Sequence, residues 1–304
     1  MAKKLIVVLG ATASGKTRMS VRLAYDLKGE IISADSRQVY KGLDIGTGKD
    51  LKEYIIDGRS IPYHLIDIAD AGQEFNLFEF QTRFYQIYPE LMQRDVLPIM
   101  VGGTGLYLEA VILNYELPPA PPDRALRERL AAKSIAELRS VLLASNARLH
   151  NKTDIEDKDR LIRAIEIENA RQRQSAAVVK RPVSSVGVFG IRWDRALLRK
   201  RITERLQHRL EQGMIEEVKA LYLSGLSWPR LESLGLEYRY IAFYLQGKLN
   251  YEEMFEKLNT SIHQFAKRQE TWFRRMERKG IAISWVDGDD YYFLKEKVEE
   301  HLND

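Results

Sequence analysis

Apolar residues in the first third of the chain come in short runs, and between the runs they recur at helical spacing. The runs at residues 4–10, 30–34, 64–68 and 98–102 predict strands. The stretches 15–27, 77–94 and 105–111 predict helices that separate most of them. Such alternation predicts an α/β fold, a parallel sheet with helices on both faces. Ligands of such sheets bind beyond the C-terminal ends of the strands. The residues there are Gly10 to Thr17, then Asp35 and Ser36, then Asp67, then Gly102, Gly103 and Thr104.

The pattern changes at Leu117-Pro118-Pro119-Ala120-Pro121-Pro122, and from Asp123 to about Arg173 the chain is charged and helical, with few strand formers. This predicts a core made of residues 1–116 and 180–304, interrupted by a helical insertion at 117–179. Residues 186–194 read as a strand returning to the sheet. In the helix that follows, Leu198, Ile202, Leu206 and Leu210 form one apolar stripe, and Arg201, Arg205 and His208 fall away from it. A long helix is predicted at 251–279, whose Phe265, Trp272 and Met276 read as core more than as a stacking platform. A strand at 281–286 and a helix at 291–302 complete the pattern.

Composition removes several classes of function. The 304 residues include no cysteine, which excludes disulfides, thiol catalysis and cysteine-ligated zinc. The five histidines are scattered, with no pair at metal-ligand spacing. No apolar run approaches the roughly 20 residues of a membrane span. The residues ahead of the first strand show no cleavage-site pattern, so a cytoplasmic protein is expected. The formal net charge is only +4, but its distribution is uneven. Residues 192–209 hold seven basic and two acidic side chains, and residues 261–279 hold six and two. Such clusters suit a polyanionic partner, and on charge alone a pair of solvated helix faces suits them equally.

The chemistry is concentrated in Gly10-Ala11-Thr12-Ala13-Ser14-Gly15-Lys16-Thr17, a G-x-x-x-x-G-K-T loop between a strand and a helix. Backbone N–H groups at the helix start converge on an anion, Lys16 adds a point charge, and Thr17 offers its hydroxyl to a magnesium ion. A ligand-free strand-helix turn is the alternative. Asp35 ends the second strand, where a carboxylate can take a proton from an acceptor aligned on a phosphorylated donor. A turn or N-cap aspartate explains that position equally. Gly102-Gly103-Thr104-Gly105 allows close backbone approach to a ligand, with Thr104 donating to a phosphate oxygen, or is a glycine-rich turn with a Thr cap. Asp67 stands where phosphate-loop proteins often keep a magnesium-holding carboxylate, and position alone leaves that open. His64 reads as a packed histidine more than as a base.

These residues resemble one family over nearly the whole chain, the tRNA dimethylallyltransferases. The loop is similar to that family's G-x-T-A-S-G-K-T, with Ala11 in place of the usual proline. Ile31-Ile32-Ser33-Ala34-Asp35-Ser36-Arg37-Gln38-Val39-Tyr40-Lys41-Gly42-Leu43-Asp44-Ile45-Gly46-Thr47 matches almost residue for residue. So do His64-Leu65-Ile66-Asp67-Ile68, the stretch from Leu97 to Tyr107, and Ala266-Lys267-Arg268-Gln269-Glu270-Thr271-Trp272-Phe273-Arg274.

The resemblance implies a P-loop NTPase-like core with a small all-helical insertion. It implies transfer of a dimethylallyl group from dimethylallyl diphosphate to the exocyclic N6 amine of the adenosine that follows the anticodon in tRNA. Gly10, Thr12, Ala13, Ser14, Gly15, Lys16, Thr17 and Arg239 would then hold the diphosphate, with Mg²⁺ on Thr17. Asp35 would be the base, Thr104 would donate to the departing oxygen, and Lys16 would neutralise it. Asp35, Ser36, Arg37 and Gln38 would receive a flipped base, with Thr104 also among the tRNA-binding residues. Arg127, Asp159, Arg160, Arg163, His263, Gln264, Lys267 and Arg268 would complete the tRNA contacts of a monomer that needs no membrane.

The chain departs from the family pattern at several points. His263 stands where arginine is usual, and Gly48-Lys49-Asp50 replaces Ala-Lys-Pro. In Ser233-Leu234-Gly235-Leu236-Glu237-Tyr238-Arg239 the glycine of a Gly-Tyr-Arg motif is moved away from the arginine. The insertion is short, and Leu149-His150-Asn151-Lys152 is a degenerate I-H-P-N. Three other readings compete. A phosphate-loop kinase would carry a basic lid, a prenyltransferase for free adenine nucleotides would dispense with the insertion, and a nucleic-acid-binding module would keep the loop only as a vestige.

Overall fold

The computed structural model describes residues 4–120, 123–145, 156–173, 183 and 185–304. Pro121, Pro122 and the 149–152 segment lie outside the described residues. The chain divides into two compact units, Met1–Asn114 with Pro182–Asp304, and Tyr115–Arg181.

The strands of the first unit are β1 (Leu5–Gly10), β2 (Gly29–Ser33), the hairpin β3 (Ile55–Ile56) and β4 (Arg59–Ser60), β5 (Tyr63–His64), β6 (Leu97–Gly102), β7 (Val186–Arg192) and β8 (Ser284–Asp287). Six of them form one parallel sheet in the order β5-β2-β6-β1-β7-β8, as the α/β pattern predicts. Every residue of β1 is buried, which a central parallel strand requires. Alternation divides that strand between two cores. Ile6 and Val8 pack with Met19 and Leu23 of α1 (Lys16–Leu27), while Leu5, Val7 and Leu9 pack with Phe80 and Phe84 of α2 (Leu77–Gln93) and Leu108 of α3 (Gly105–Ile112). This arrangement holds the ends of β1, β2 and β6 rigidly side by side.

The predicted strand at 64–68 pairs only through Tyr63 and His64. Leu65 (φ 64°) and Asp67 (φ 55°) turn left-handed, which ends the strand. The turn places the Asp67 carboxylate on the ammonium of Lys49, which is 1% exposed and also donates to Asp44 Oδ1 at 2.6 Å and the Tyr40 carbonyl at 2.8 Å. A buried lysine needs such partners, and a carboxylate satisfying it has a structural task. The predicted strand at 281–286 joins the sheet only from Ser284.

The second unit contains α4 (Arg124–Ala131), α5 (Ile135–Ala144) and α6 (Lys158–Arg173) around a small core of Leu126, Leu130, Leu138, Leu142, Leu161, Ile162 and Ile165. Among the described residues of this unit there is no strand.

Helices α7 (Arg195–Glu211), α8 (Met214–Leu223), α9 (Trp228–Ser233), α10 (Leu236–Leu245) and α11 (Tyr251–Arg278) contribute to a third core of the first unit, and α12 (Tyr291–Asn303) packs beside α1. Asn250 and Glu253 form a capping box that starts α11. Its buried stripe is Met254, Leu258, Ile262, Ala266, Gln269, Phe273 and Met276. Met276 is in the core as predicted and Trp272 is half-buried, but Phe265 is 38% exposed. Its position next to Ala266 rotates it about 100° off the stripe, and its ring instead lies 5.9 Å from the Arg268 guanidinium.

Candidate active site

The loop after β1 turns through two left-handed residues, Ala13 (φ 62°) and Gly15 (φ 84°), before α1 begins at Lys16. Gly15 is the N-cap and supplies no side-chain bond, so the first amides of α1 stay available to an anion. The loop is held through its carbonyls and its outer edge. Trp193 Nε1 donates to the Ser14 carbonyl at 2.9 Å, and Arg201 Nε to that of Ala13 at 3.0 Å. The Thr12 amide donates to Gln269 Oε1 at 2.8 Å, and Gln269 Nε2 donates to the Gly103 carbonyl at 2.9 Å. One buried glutamine of α11 therefore ties the phosphate loop to the glycine-rich turn after β6. Gly10 ends β1, and Thr17, half-buried, sits in the first turn of α1.

Beyond β2, Asp35 makes the turn that one of its two sequence readings expects. Its Oδ1 accepts from the amides of Arg37 at 2.8 Å and Gln38 at 3.3 Å, closing a turn. No described residue donates to Oδ2. Thr104 is the N-cap of α3 but makes no side-chain cap bond. Its Oγ1 accepts from the Ser36 amide at 3.2 Å, which leaves the hydroxyl proton to donate elsewhere. Arg37 is half-buried. Gln38 is buried, accepting from Ser33 Oγ at 3.0 Å and donating to the Gly48 carbonyl at 3.1 Å, so it pins the following loop. That loop has its own amide nest, and Glu217 fills it by accepting from Asp44, Ile45 and Gly46 N–H.

Positive charge is concentrated beside the loop. Burial lowers the Lys16 ammonium to about 8, the Arg205 guanidinium pushes it the same way, and Asp35 opposes them. Arg201 and Arg205 lie off the apolar stripe, as predicted, and α7 turns that face toward the loop. Arg205 reaches Thr12 Oγ1 at 3.5 Å and Asp50 Oδ2 at 3.2 Å, and buried Arg209 stands one turn further on. Arg201, Arg205 and Arg209 are spaced four apart, so they line one face of α7. That spacing was the available signal for them; Gln269, Asp50 and Glu237 had none beyond their neighbours in sequence.

Arg239 is exposed on α10 and donates to the Glu232 carbonyl at 2.9 Å, with no bond to the loop among the described residues. Gln264, Lys267 and Arg268 are exposed on α11. His263 is half-buried, its Nε2 is 3.3 Å from Thr203 Oγ1, and burial followed by the Arg199 charge lowers its pKa. In the second unit, Arg127 donates to Glu166 at 2.6 and 2.9 Å and Arg163 does so at 3.0 Å, while Asp159 and Arg160 are exposed at the start of α6. Among the described residues, no three His, Asp or Glu side chains are grouped to hold a metal. A threonine hydroxyl combined with ligand phosphate oxygens and water is nonetheless a hard-oxygen donor set that fits Mg²⁺.

Comparison with known proteins shows the family. The IPP transferase family matches residues 38–276, and the isopentenyl transferase family matches residues 3–63. A tRNA dimethylallyltransferase 1 of Syntrophus aciditrophicus is 56% identical over 99% of both chains. A tRNA dimethylallyltransferase 2 of Bacteroides fragilis is 50% identical over 97% of this chain and 98% of its own. The crystal structure of a tRNA isopentenylpyrophosphate transferase from Bacillus halodurans superposes with a TM-score of 0.70 at 31% identity, covering 99% of this chain and 97% of the other. A eukaryotic dimethylallyltransferase acting on tRNA has a TM-score of 0.74 at 24% identity, over 95% and 74%, and supports the fold. With the phosphate loop, the Asp35–Thr104 turn and these matches together, the chain belongs to the IPP transferase family, that of the tRNA dimethylallyltransferases.

Proposed function

We propose that the protein transfers a dimethylallyl group from dimethylallyl diphosphate to the N6 amine of the adenosine following the anticodon in tRNA. It does so in the cytoplasm and as a monomer. The observation that carries this reading is the joining of three elements in one site. Gln269 ties the phosphate loop to the Gly103–Thr104 turn, and Thr104 is bonded to the turn that presents Asp35. A leaving-group holder, a hydroxyl donor and an open carboxylate oxygen are thereby fixed together.

The reaction breaks the allylic C–O bond, whose electron pair leaves with diphosphate. The N6 lone pair forms the new C–N bond, and the amine proton passes to Asp35 Oδ2. Loop amides, Lys16 and the Thr104 hydroxyl meet the negative charge as it grows on the departing oxygen. Bound Mg²⁺, held by Thr17 and phosphate oxygens, would supply further charge neutralisation to the same group. An exocyclic amine on an aromatic ring is a poor nucleophile, so orientation by the 35–38 turn contributes much of the rate. Lys267, Arg268 and Gln264 on α11, with Asp159 and Arg160 of the second unit, take the tRNA. Arg127 and Arg163 hold Glu166 and shape that unit as well as adding charge.

Incubation with Mg²⁺, labelled dimethylallyl diphosphate and either unmodified tRNA or AMP tests the reading. Label entering tRNA is expected. Label entering only AMP overturns it in favour of a small-acceptor prenyltransferase, and phosphate transfer from ATP overturns it in favour of a kinase.

His263 provides a second check on the tRNA face. Its lowered pKa leaves it neutral near pH 7, so it adds no charge there. His263→Arg is expected to tighten tRNA binding at moderate salt and to steepen the salt dependence by about one counterion. Unchanged affinity and slope would remove position 263 from the phosphate-contacting set.

A further inference from the structure

Tyr107 is a core residue whose polar group the core does not use. It lies one turn into α3, its N–H donating to the Thr104 carbonyl at 2.9 Å, and that spacing puts the two side chains on neighbouring faces of the helix. The residue is 5% exposed, and its ring stacks on Phe80 of α2 with the centroids 4.2 Å apart and the planes 20° from parallel. Phenylalanine would fill that stack equally well. The Tyr107 hydroxyl makes no hydrogen bond among the described residues, although a buried tyrosine hydroxyl usually finds one. The oxygen is not sealed in the core either, as the unpartnered Trp272 Nε1 is, so the little surface that Tyr107 shows includes its hydroxyl.

The groups whose charges act on this hydroxyl are Tyr40, Arg37, Asp35 and Glu79. Arg37 and Asp35 belong to the turn after β2, and Thr104 Oγ1 is bonded to the same turn through the Ser36 amide at 3.2 Å. Helix α3 therefore meets the turn with Thr104 and Tyr107 together. Burial, more than any neighbouring charge, raises the Tyr107 phenol well above its usual range, so the group keeps its proton and remains a donor. Asp35, across from it, is a carboxylate that only accepts.

An adenine whose amine points at Asp35 carries a ring nitrogen with a free lone pair on either side of that amine, N1 and N7. Each needs a donor once the base has left water, and Asp35 offers none. We propose that the Tyr107 hydroxyl donates a hydrogen bond to one of these two ring nitrogens and so fixes the orientation of the adenine beside Asp35. The inference rests on the reading above, in which the 35–38 turn receives the flipped base, and adds the contact that aims its amine. The hydroxyl is left unpaired in the free protein because its acceptor arrives with the substrate.

Anticodon stem-loops carrying adenosine, 1-deazaadenosine or 7-deazaadenosine at the target position test the contact. Each is incubated with Mg²⁺ and dimethylallyl diphosphate, and wild type is compared with Tyr107→Phe on every substrate. The ratio of the two proteins on one substrate cancels the intrinsic reactivity of its amine. On adenosine, Tyr107→Phe is expected to lower kcat/KM about 5–50-fold. Its melting temperature should equal that of wild type, because the hydroxyl bonds nothing in the free protein and the stack on Phe80 is kept. Affinity for dimethylallyl diphosphate should stay within about twofold. On one of the two deaza substrates the penalty of Tyr107→Phe should vanish, which names the nitrogen, and on the other it should persist. An undiminished kcat/KM on adenosine overturns the proposal, as does a penalty of equal size on all three substrates, the result of a packing role alone. A wild-type protein that modifies no stem-loop overturns the transfer reading itself, a result distinct from either.

Discussion

Asp35→Asn is expected to lower turnover by about 10²–10⁴-fold while donor affinity stays within about twofold. The asparagine side-chain oxygen can still accept from the Arg37 and Gln38 amides, as Asp35 Oδ1 does at 2.8 and 3.3 Å. The turn and the melting temperature should therefore be preserved. What the substitution removes is the basicity of Oδ2, the oxygen to which no described residue donates. Asp35→Ala removes the turn bonds as well, and should add a stability loss of about 0.5–2 kcal/mol. Single-turnover measurement separates the two effects. If Asp35→Asn turns over at near wild-type rate, Asp35 is a turn residue only and the proton leaves by another route.

Donor affinity is expected to be independent of pH below about 8, where Lys16 is fully charged, and to fall as pH rises above it. Burial and Arg205 lower this ammonium from the usual lysine range to about 8 in the free protein. Bound diphosphate favours the charged form and raises the pKa again. Protonation is then complete in both states below about 8. Above it, the free protein has lost a proton that binding must restore, so affinity falls up to tenfold per pH unit until the bound-state pKa is reached. Arg in place of Lys16 stays charged throughout, and Lys16→Arg should abolish the inflection. Lys16→Met should remove both the inflection and about 10²–10³-fold in kcat/KM. An inflection that persists in Lys16→Arg would assign it to another group.

The central sheet was readable because parallel strands buried on both faces leave unbroken apolar runs, as Leu5 to Leu9 do. The phosphate loop was readable because its function depends on local backbone geometry between a strand and a helix. Asp35 and Thr104 could be placed at the working edge for the same reason. The basic half of the site was not readable. Arg205 and Arg209 have the spacing of a solvated helix face, and only the tertiary position of α7 turns them inward. The burial of Lys49 is likewise set by tertiary structure, where the left-handed turns at Leu65 and Asp67 bring a carboxylate to it. No apolar pattern encodes those turns, so the strand predicted at 64–68 extended too far. Phe265 was misjudged because aromatic character outweighed its position beside Ala266, one residue off the buried stripe.

In the proposed reaction the phosphate loop holds a leaving group while Asp35 deprotonates a tRNA adenosine amine. The most direct test uses two anticodon stem-loops that differ only at the nucleoside following the anticodon, one with adenosine and one with purine riboside, which lacks the exocyclic amine. After incubation with Mg²⁺ and dimethylallyl diphosphate, the products are digested to nucleosides and weighed by mass spectrometry. A dimethylallyl adduct on that adenosine is expected, with one diphosphate released per adduct, and none on the purine substrate. An adduct on the purine substrate, or diphosphate release without any adduct on the adenosine, would contradict the proposed reaction.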